Sequence, residues 1–172
     1  MVKAYLRYAQ EKVIGGLTGN LANAKLCKLR TAGGVTKGLY VASASNEVVN
    51  FSNVKTGEVE FQIYDKEAMH GQVTTIATSS DMIAIGYTSG TVLIYSLEES
   101  NPTGVENIAK VTESAFDQLH QFSFHRSAVT TLLFSDENTQ LVSGGADTYI
   151  VLYDLITSTA EFKLMGHTEP IT

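Results

Sequence analysis

A chain of 172 residues, 44% of them hydrophobic, is long enough for one domain with a core of ordinary size and too apolar to stay disordered. Its single cysteine allows no internal disulfide and fits a reducing compartment, the cytosol or nucleus, and its formal charge of −6 argues against broad electrostatic nucleic-acid binding, which needs a basic face. There is no run of about 18 apolar residues, so no helix is expected to span a membrane, and the opening MVKAYLRYAQEK lacks the continuous apolar block of a signal peptide.

In chain order, residues 1–12 are polar and aromatic, with Tyr5, Leu6 and Tyr8 as candidate anchors. Residues 13–17 read as a short strand broken by Gly15-Gly16, and 24–29 as a second, where Cys27 is expected to pack as a small core residue rather than act as a reactive thiol. Residues 31–38 form a Gly-rich turn without the strand–GxxxxGK–helix setting of a phosphate loop. Strands are expected at 39–42 and 48–51, joined by 43–47, then at 59–63 after a turn at 55–58. His70 precedes a further series at 73–77, 82–86 and 91–97. Residues 98–118 are an acidic insertion carrying Asn101-Pro102, a turn signal. Within it Ile108, Val111 and Ala115, followed by Leu119, recur at helical spacing, which leaves open a short helix or a solvated loop.

The last stretch is the most regular. It opens on Phe124-His125, runs through strand-type segments at 128–134, 140–143, 149–155 and 161–165, and returns to Gly166-His167. The segments are separated by Ser, Asp, Glu, Asn, Gly and Thr, which start turns or tolerate positive φ. Four short strands in a period of about forty residues are the mark of a β-propeller blade. Residues 85–90 align without a gap on 143–148, with Ile85 in place of Ser143 and Ser89 in place of Asp147, and Tyr95 falls on Tyr153. In the repeat before, Asn46 falls on Asp147, Ser52 on Tyr153 and Asn53 on Asp154, so only the strand pattern survives there. The expected fold is all-β, a partial propeller over 1–172. It divides into N-terminal strands (1–38), a degenerate blade (39–69), a blade with the 98–118 insertion (70–123), a best-formed blade (124–166) and the start of another repeat (167–172). Closure takes about four blades or more, so the chain is expected to be part of a longer protein or of a ring completed by another chain.

The pattern resembles the WD repeat, with Gly166-His167 as the repeat-start dipeptide and Tyr153-Asp154 where that family has Trp-Asp; the chain has no Trp at all. The resemblance implies a buried polar set in the best blade made of His125, Ser143, Asp147 and Tyr153. Its chemistry is intelligible from the residues, because a His offers two ring nitrogens and can bridge a carboxylate and a hydroxyl. A phenol carries its donor further out than an indole does, so Tyr153 is where the set departs from the family. More narrowly, AYLRYAQEKVIGGLTGN, NAKLCKLR and LYVASASNEVVNFSNVKTGE resemble the opening of the nucleolar tandem-propeller subunits of the UTP-B complex, the U-three small-nucleolar-RNA-associated protein twelve type. That resemblance implies a non-catalytic scaffold of the small-subunit processome in the nucleolus. Its partners would be other proteins of a large ribonucleoprotein assembly, with any RNA contact indirect, and with no membrane and no small-molecule substrate.

For an enzyme, nucleophile, base and orienting group must converge in a pocket. His70, His125 and His167 all stand at the repeat start, where a structural role explains them, which leaves His120. There is no HExxH or CxxC pair. The expectation is therefore no catalytic residue, no metal and no cofactor, with partner-contact residues unassigned. A generic WD-repeat adaptor or substrate receptor is the alternative function.

Overall fold

The computed structural model describes residues 21–65, 69–100 and 116–172. The first four strands are β1 (Leu21–Arg30), β2 (Thr36–Ser45), β3 (Val48–Asn53) and β4 (Val59–Tyr64). The next four are β5 (Val73–Thr78), β6 (Met82–Tyr87), β7 (Val92–Glu99) and β8 (Phe116–Phe122), and the last four are β9 (Val129–Phe134), β10 (Gln140–Gly145), β11 (Ile150–Asp154) and β12 (Thr159–Leu164). Each set of four is an antiparallel meander, one blade, and the described residues contain no helix. The first two blades touch through one parallel bridge between the end of β1 and the end of β7, Arg30 opposite Glu98, and so join into an eight-stranded sheet.

Three expectations are corrected. The boundary drawn at 38/39 falls inside β2, because residues 36–38 already pair with β1, Leu29 facing Gly38; β1 is thus the first strand of the first blade rather than a separate N-terminal piece. The turn there is only 31–35, closed by the Gly34 N–H donating to Thr31 O at 2.8 Å, with Gly34 at φ 73°. The insertion expected at 98–118 is shorter at both ends: Glu98 and Glu99 finish β7, and Phe116 to Gln118 begin β8, with Glu99 facing Phe116. Leu119 is therefore a strand residue and belongs to no helix. Ile108, Val111, Ala115 and Asn101-Pro102 lie outside the described residues, as do the strand expected at 13–17 and the anchors Tyr5, Leu6 and Tyr8.

Side-chain alternation explains how the blades stack. Along β1, Cys27 and Leu29 are buried while Leu26 and Lys28 are exposed, a period of two that commits one face to the core. That face meets the second blade in a cluster containing Cys27, Leu29, Tyr40, Phe51, Ile83, Ile85, Tyr87 and Tyr95. Burial pushes the Cys27 thiol up to about 11, against a weaker opposing hydrogen bond from the Ala42 backbone, so it stays protonated and inert at neutral pH. The opposite face of the second blade meets the third in a cluster with Ala84, Val92, Ile94, Val129, Leu132, Leu141 and Tyr153. Because the second blade is covered on both sides, all six residues of β6 are buried, which is why MIAIGY reads as a continuous apolar run rather than an alternation. Gly86 is required at this contact: a Cβ there would lie 2.8 Å from Val129 Cγ1 and 2.9 Å from Thr75 Cγ2.

Candidate functional site

The third blade gathers the polar set expected from the sequence into one chain of contacts. His125 lies in the loop before β9, Ser143 on β10, Asp147 in the β10–β11 turn and Tyr153 on β11. The His125 ring has Nδ1 2.9 Å from Asp147 Oδ1 and Nε2 2.7 Å from Ser143 Oγ. Ser143 Oγ donates to Tyr153 Oη at 3.0 Å. Local structure places these groups. Asp147 caps its own turn, accepting from the Arg126 N–H at 2.8 Å and the Tyr149 N–H at 3.3 Å, while the Ala146 N–H donates to Ala128 O at 2.8 Å. The next residue, Thr148, takes a left-handed conformation with φ 69°, which an Asx-type turn favours and a β-branched residue resists. Gly145 must lack a side chain, since a Cβ would lie 2.4 Å from His125 Nδ1 and from Asp147 Oδ1.

The phenol reaches because of what packs around it. Tyr153 is stacked on Phe122 of the second blade, ring centroids 4.4 Å apart and 20° from parallel, which directs its hydroxyl along the sheet toward Ser143. Ser143 faces Val151, two residues before Tyr153 on the paired strand, so the longer side chain spans a diagonal rather than a direct opposition. Each ring nitrogen can donate or accept according to the tautomer, so a single imidazole bridges the carboxylate on one side and the hydroxyl on the other.

Electrostatics follow the contacts. Burial raises the Asp147 carboxyl, but the Arg126 N–H, the His125 ring and the Tyr149 N–H together outweigh it and hold the group below its ordinary 3.8. Burial pushes the Tyr153 phenol up to about 12, eased by Ser143 and reinforced by Asp147. The carboxylate–imidazole–hydroxyl order is that of a hydrolytic triad, yet the His125 side chain is 0% exposed and Ser143 is 0% exposed. A nucleophile without access to substrate, with its hydroxyl committed to a tyrosine, performs no acyl transfer. The cluster ties the repeat-start loop to the middle of its blade.

The equivalent positions elsewhere do not repeat it. In the second blade Ser89 Oγ donates to Thr91 Oγ1 at 3.1 Å, Ile85 is a core residue and Tyr95 Oη donates to Gln118 Oε1 at 3.4 Å. The His70 ring packs against Tyr87, centroids 5.5 Å apart. In the first blade Ser52, at the Tyr153 position, is fully buried and its hydroxyl has no hydrogen-bond partner among the described residues. His167 is exposed. Sequence reasoning missed His120: it lies on β8, its Nδ1 2.9 Å from Ser158 Oγ in the β11–β12 turn, and burial holds its ring below 6.5. The pairing of β8 with β7, had it been seen, would have pointed its neighbour Phe122 at the third blade. Among the described residues no group of three His, Cys, Asp or Glu side chains is placed to hold a metal.

Residues 116–154 match the family model described as WD domain, G-beta repeat. The match runs from β8 through β11, so the sequence repeat is offset by one strand from the structural blade. The fold is similar to the crystal structure of RRP9 WD40 repeats, with a TM-score of 0.67 at 21% identity, covering 92% of this chain and 42% of that one. It is similar to the structure of U3-55K, TM-score 0.66 at 21% identity, covering 92% of this chain and 43% of that one. It is also similar to the computationally designed Ika4 protein, TM-score 0.65 at 20% identity, covering 96% and 85%. At these identities the likeness is one of fold. The chain is thus all-β with the fold of a partial β-propeller, three four-stranded blades in the described residues, and resembles WD40 propellers in architecture. Among curated proteins it is 28% identical to Restriction of telomere capping protein 1 of Candida dubliniensis, over 77% of this chain and only 11% of that relative's length.

Proposed function

We propose that this chain is a non-catalytic protein-interaction scaffold of the nucleolar small-subunit processome, acting in precursor ribosomal RNA processing. The observation that carries the scaffold reading is the burial of the His125–Asp147–Ser143–Tyr153 set, which commits the best-placed titratable groups to holding a blade together. WD40 propellers are interaction platforms, and rigid blades with loops at both ends present a surface for other proteins. The ribosomal assignment rests on the resemblance of residues 4–58 to the UTP-B tandem-propeller subunits. Its fold neighbours, the RRP9 WD40 repeats and U3-55K, agree in architecture. The second reading, an adaptor in another complex, is favoured by the relative named for telomere capping. Imaging the tagged protein, expressed from its natural reading frame, separates the two. Nucleolar signal, with accumulation of small-subunit RNA precursors on depletion, is expected. Exclusion from nucleoli with normal ribosomal RNA sinks the processome assignment in favour of the adaptor.

A further inference from the structure

The charges of the second and third blades are segregated along the strands. Asp81, Asp136, Glu137 and Asp154 stand in or beside the turns that close one end of these sheets. Glu98 and Glu99 finish β7 at that end, and Asp117 is the second residue of β8, which starts there. Within residues 69–100 and 116–164 the only Lys and Arg are Arg126 and Lys163, and both stand toward the opposite end, Arg126 before β9 and Lys163 next to last in β12. A strand such as β9, with six residues, spans about 20 Å, more than twice the Debye length of about 8 Å at physiological salt, so the two ends act as separate electrostatic surfaces. Two carboxylates share the cationic end of the third blade. Asp147 is committed to the His125 ring and to the Arg126 and Tyr149 N–H groups, and Glu169 is exposed on the segment after β12.

At that end the two cations flank two aromatic rings, at the seam between the second and third blades. Lys163 Nζ lies 3.9 Å from the centroid of the Tyr149 ring and donates to Phe124 O at 3.3 Å. The Phe124 ring packs against Tyr153, centroids 5.9 Å apart, yet Phe124 is 44% exposed. Because Arg126 and Tyr149 both donate their N–H to Asp147, the four residues form one corner of the surface. The second blade contributes uncharged neighbours there: Gly90 lies against the His125 and Ser127 carbonyls, and Thr91 Oγ1 is 3.3 Å from Ser123 Oγ. Arg126 and Lys163 are exposed, and neither makes an ion pair among the described residues. The Lys163 ammonium is held in place by its ring and carbonyl contacts, so it has less freedom to lose when an anion arrives.

We propose that this corner docks an acidic segment of another protein, its carboxylates on Arg126 and Lys163 and an apolar side chain against Phe124. The inference rests on the scaffold reading and is independent of the nucleolar assignment. A guanidinium takes a carboxylate through two parallel hydrogen bonds, and aromatic residues and Arg are the types enriched where protein partners meet. Two cations are too few for the roughly six to ten phosphate contacts that hold a nucleic acid. The carboxylates at the far end repel the same segment, which fixes the end it meets. The probe is a short fluorescent peptide of Asp and Glu around one Phe, carrying a photo-crosslinker and added to the protein translated from its complete natural reading frame. Cross-links are expected on the segments holding Phe124 and Lys163. Affinity is expected to fall about tenfold in Arg126→Glu with Lys163→Glu. Lys25→Glu with Lys28→Glu, the same change of charge on exposed residues of β1, is expected to leave it unchanged. Phe124→Ser tests the corner without altering charge and is expected to weaken binding as well, so the decision does not hang on one variant's folding. Equal losses in the two charge variants, or no binding of the peptide, would overturn the proposal. Cross-links confined to other segments would also overturn it while leaving the scaffold reading in place. Oligouridine that binds more tightly than the peptide, with the same dependence on Arg126 and Lys163, would overturn it in favour of RNA.

Discussion

In the third blade the loop before the inner strand is fastened by side chains, with His125 reaching both Asp147 and Ser143. In the second blade the corresponding loop has no imidazole fastener among the described residues: the Thr88 N–H donates to Gln72 O at 2.9 Å, the Ser89 N–H to His70 O at 3.1 Å and the Gln72 N–H to Thr88 Oγ1 at 3.1 Å, and the blade's centre is Ile85, Tyr87 and Tyr95. The two blades share topology and a four-residue turn between their second and third strands, so the difference at that turn lies in the surroundings. The second is covered on both faces and takes its stability from apolar burial on each. The third is covered on one face only, and a polar fastener supplies within the blade what a neighbour supplies to the second. One strand pattern therefore tolerates either device, and loss of the polar set in one repeat is no sign that the blade is lost.

The largest effect expected separates the blades at their turns. Gly90 and Thr148 occupy matching turn positions with φ 88° and 69°. A Cβ on Gly90 would meet His125 O at 2.5 Å and Ser127 O at 2.8 Å, both backbone atoms of the loop leading into the third blade. Gly90→Ala is expected to cost about 3 kcal/mol or more from the clash and the left-handed strain together, while Thr148→Ala stays near neutral. Urea unfolding checks both, and a Gly90→Ala cost no larger than that of Thr148→Ala would mean the two turns are not differently constrained.

Next comes the fastener itself. Asp147→Ala leaves a buried imidazole without its acceptor and uncaps the Arg126 N–H, so a loss of about 1–3 kcal/mol is expected. Ser89→Ala, at the matching position of the second blade, is expected to stay within about 0.5 kcal/mol. Should the two cost the same in parallel melts, apolar packing of Val129, Leu141 and Val151 carries the third blade instead.

Acid sharpens the same contrast. Asp147 is depressed in the folded state, so its contribution is complete above its ordinary 3.8 and is lost as pH falls through the lower folded value. His120 is held neutral by burial, so the unfolded chain takes up its proton first and stability begins to fall once pH drops below 6.5. Both shifts favour unfolding on acidification, in separate windows. Asp147→Asn is expected to remove the lower step and His120→Gln the upper one in a pH series of unfolding midpoints. A lower step that survives Asp147→Asn would show that other carboxyls produce it.

The smallest effect is a gain. Thr148→Gly removes a β-branched side chain from the left-handed region at some cost in unfolded-state entropy, and a net stabilisation of about 0.5 kcal/mol is expected. Gly90 shows that the turn accepts glycine. A loss on Thr148→Gly would mean the Thr148 side chain supports the Asp147 turn.

The sequence by itself determined the blade. The return of Gly-His, the alternation of Val, Ile, Leu and Thr, and turn residues at regular spacing are local properties, and they place most strands within a few residues of where they form. The alignment of 85–90 on 143–148 sets Gly90 against Thr148, and the structure gives both a left-handed φ. His125, Ser143, Asp147 and Tyr153 were named by the resemblance to the WD repeat, and the residue types made their chemistry intelligible. Tertiary structure decided the rest. β8, FDQLHQF, has a weak period because only Phe116 and Phe122 are buried and the five residues between face outward or sit half-buried; its strand exists by pairing with β7. The first blade begins at β1 because β2 pairs with it, which no local pattern could announce. The closing of the polar set through a phenol depends on the stack of Tyr153 on Phe122, a residue from the neighbouring blade. A side chain's reach is local, but the wall that directs it belongs to whichever blade packs alongside.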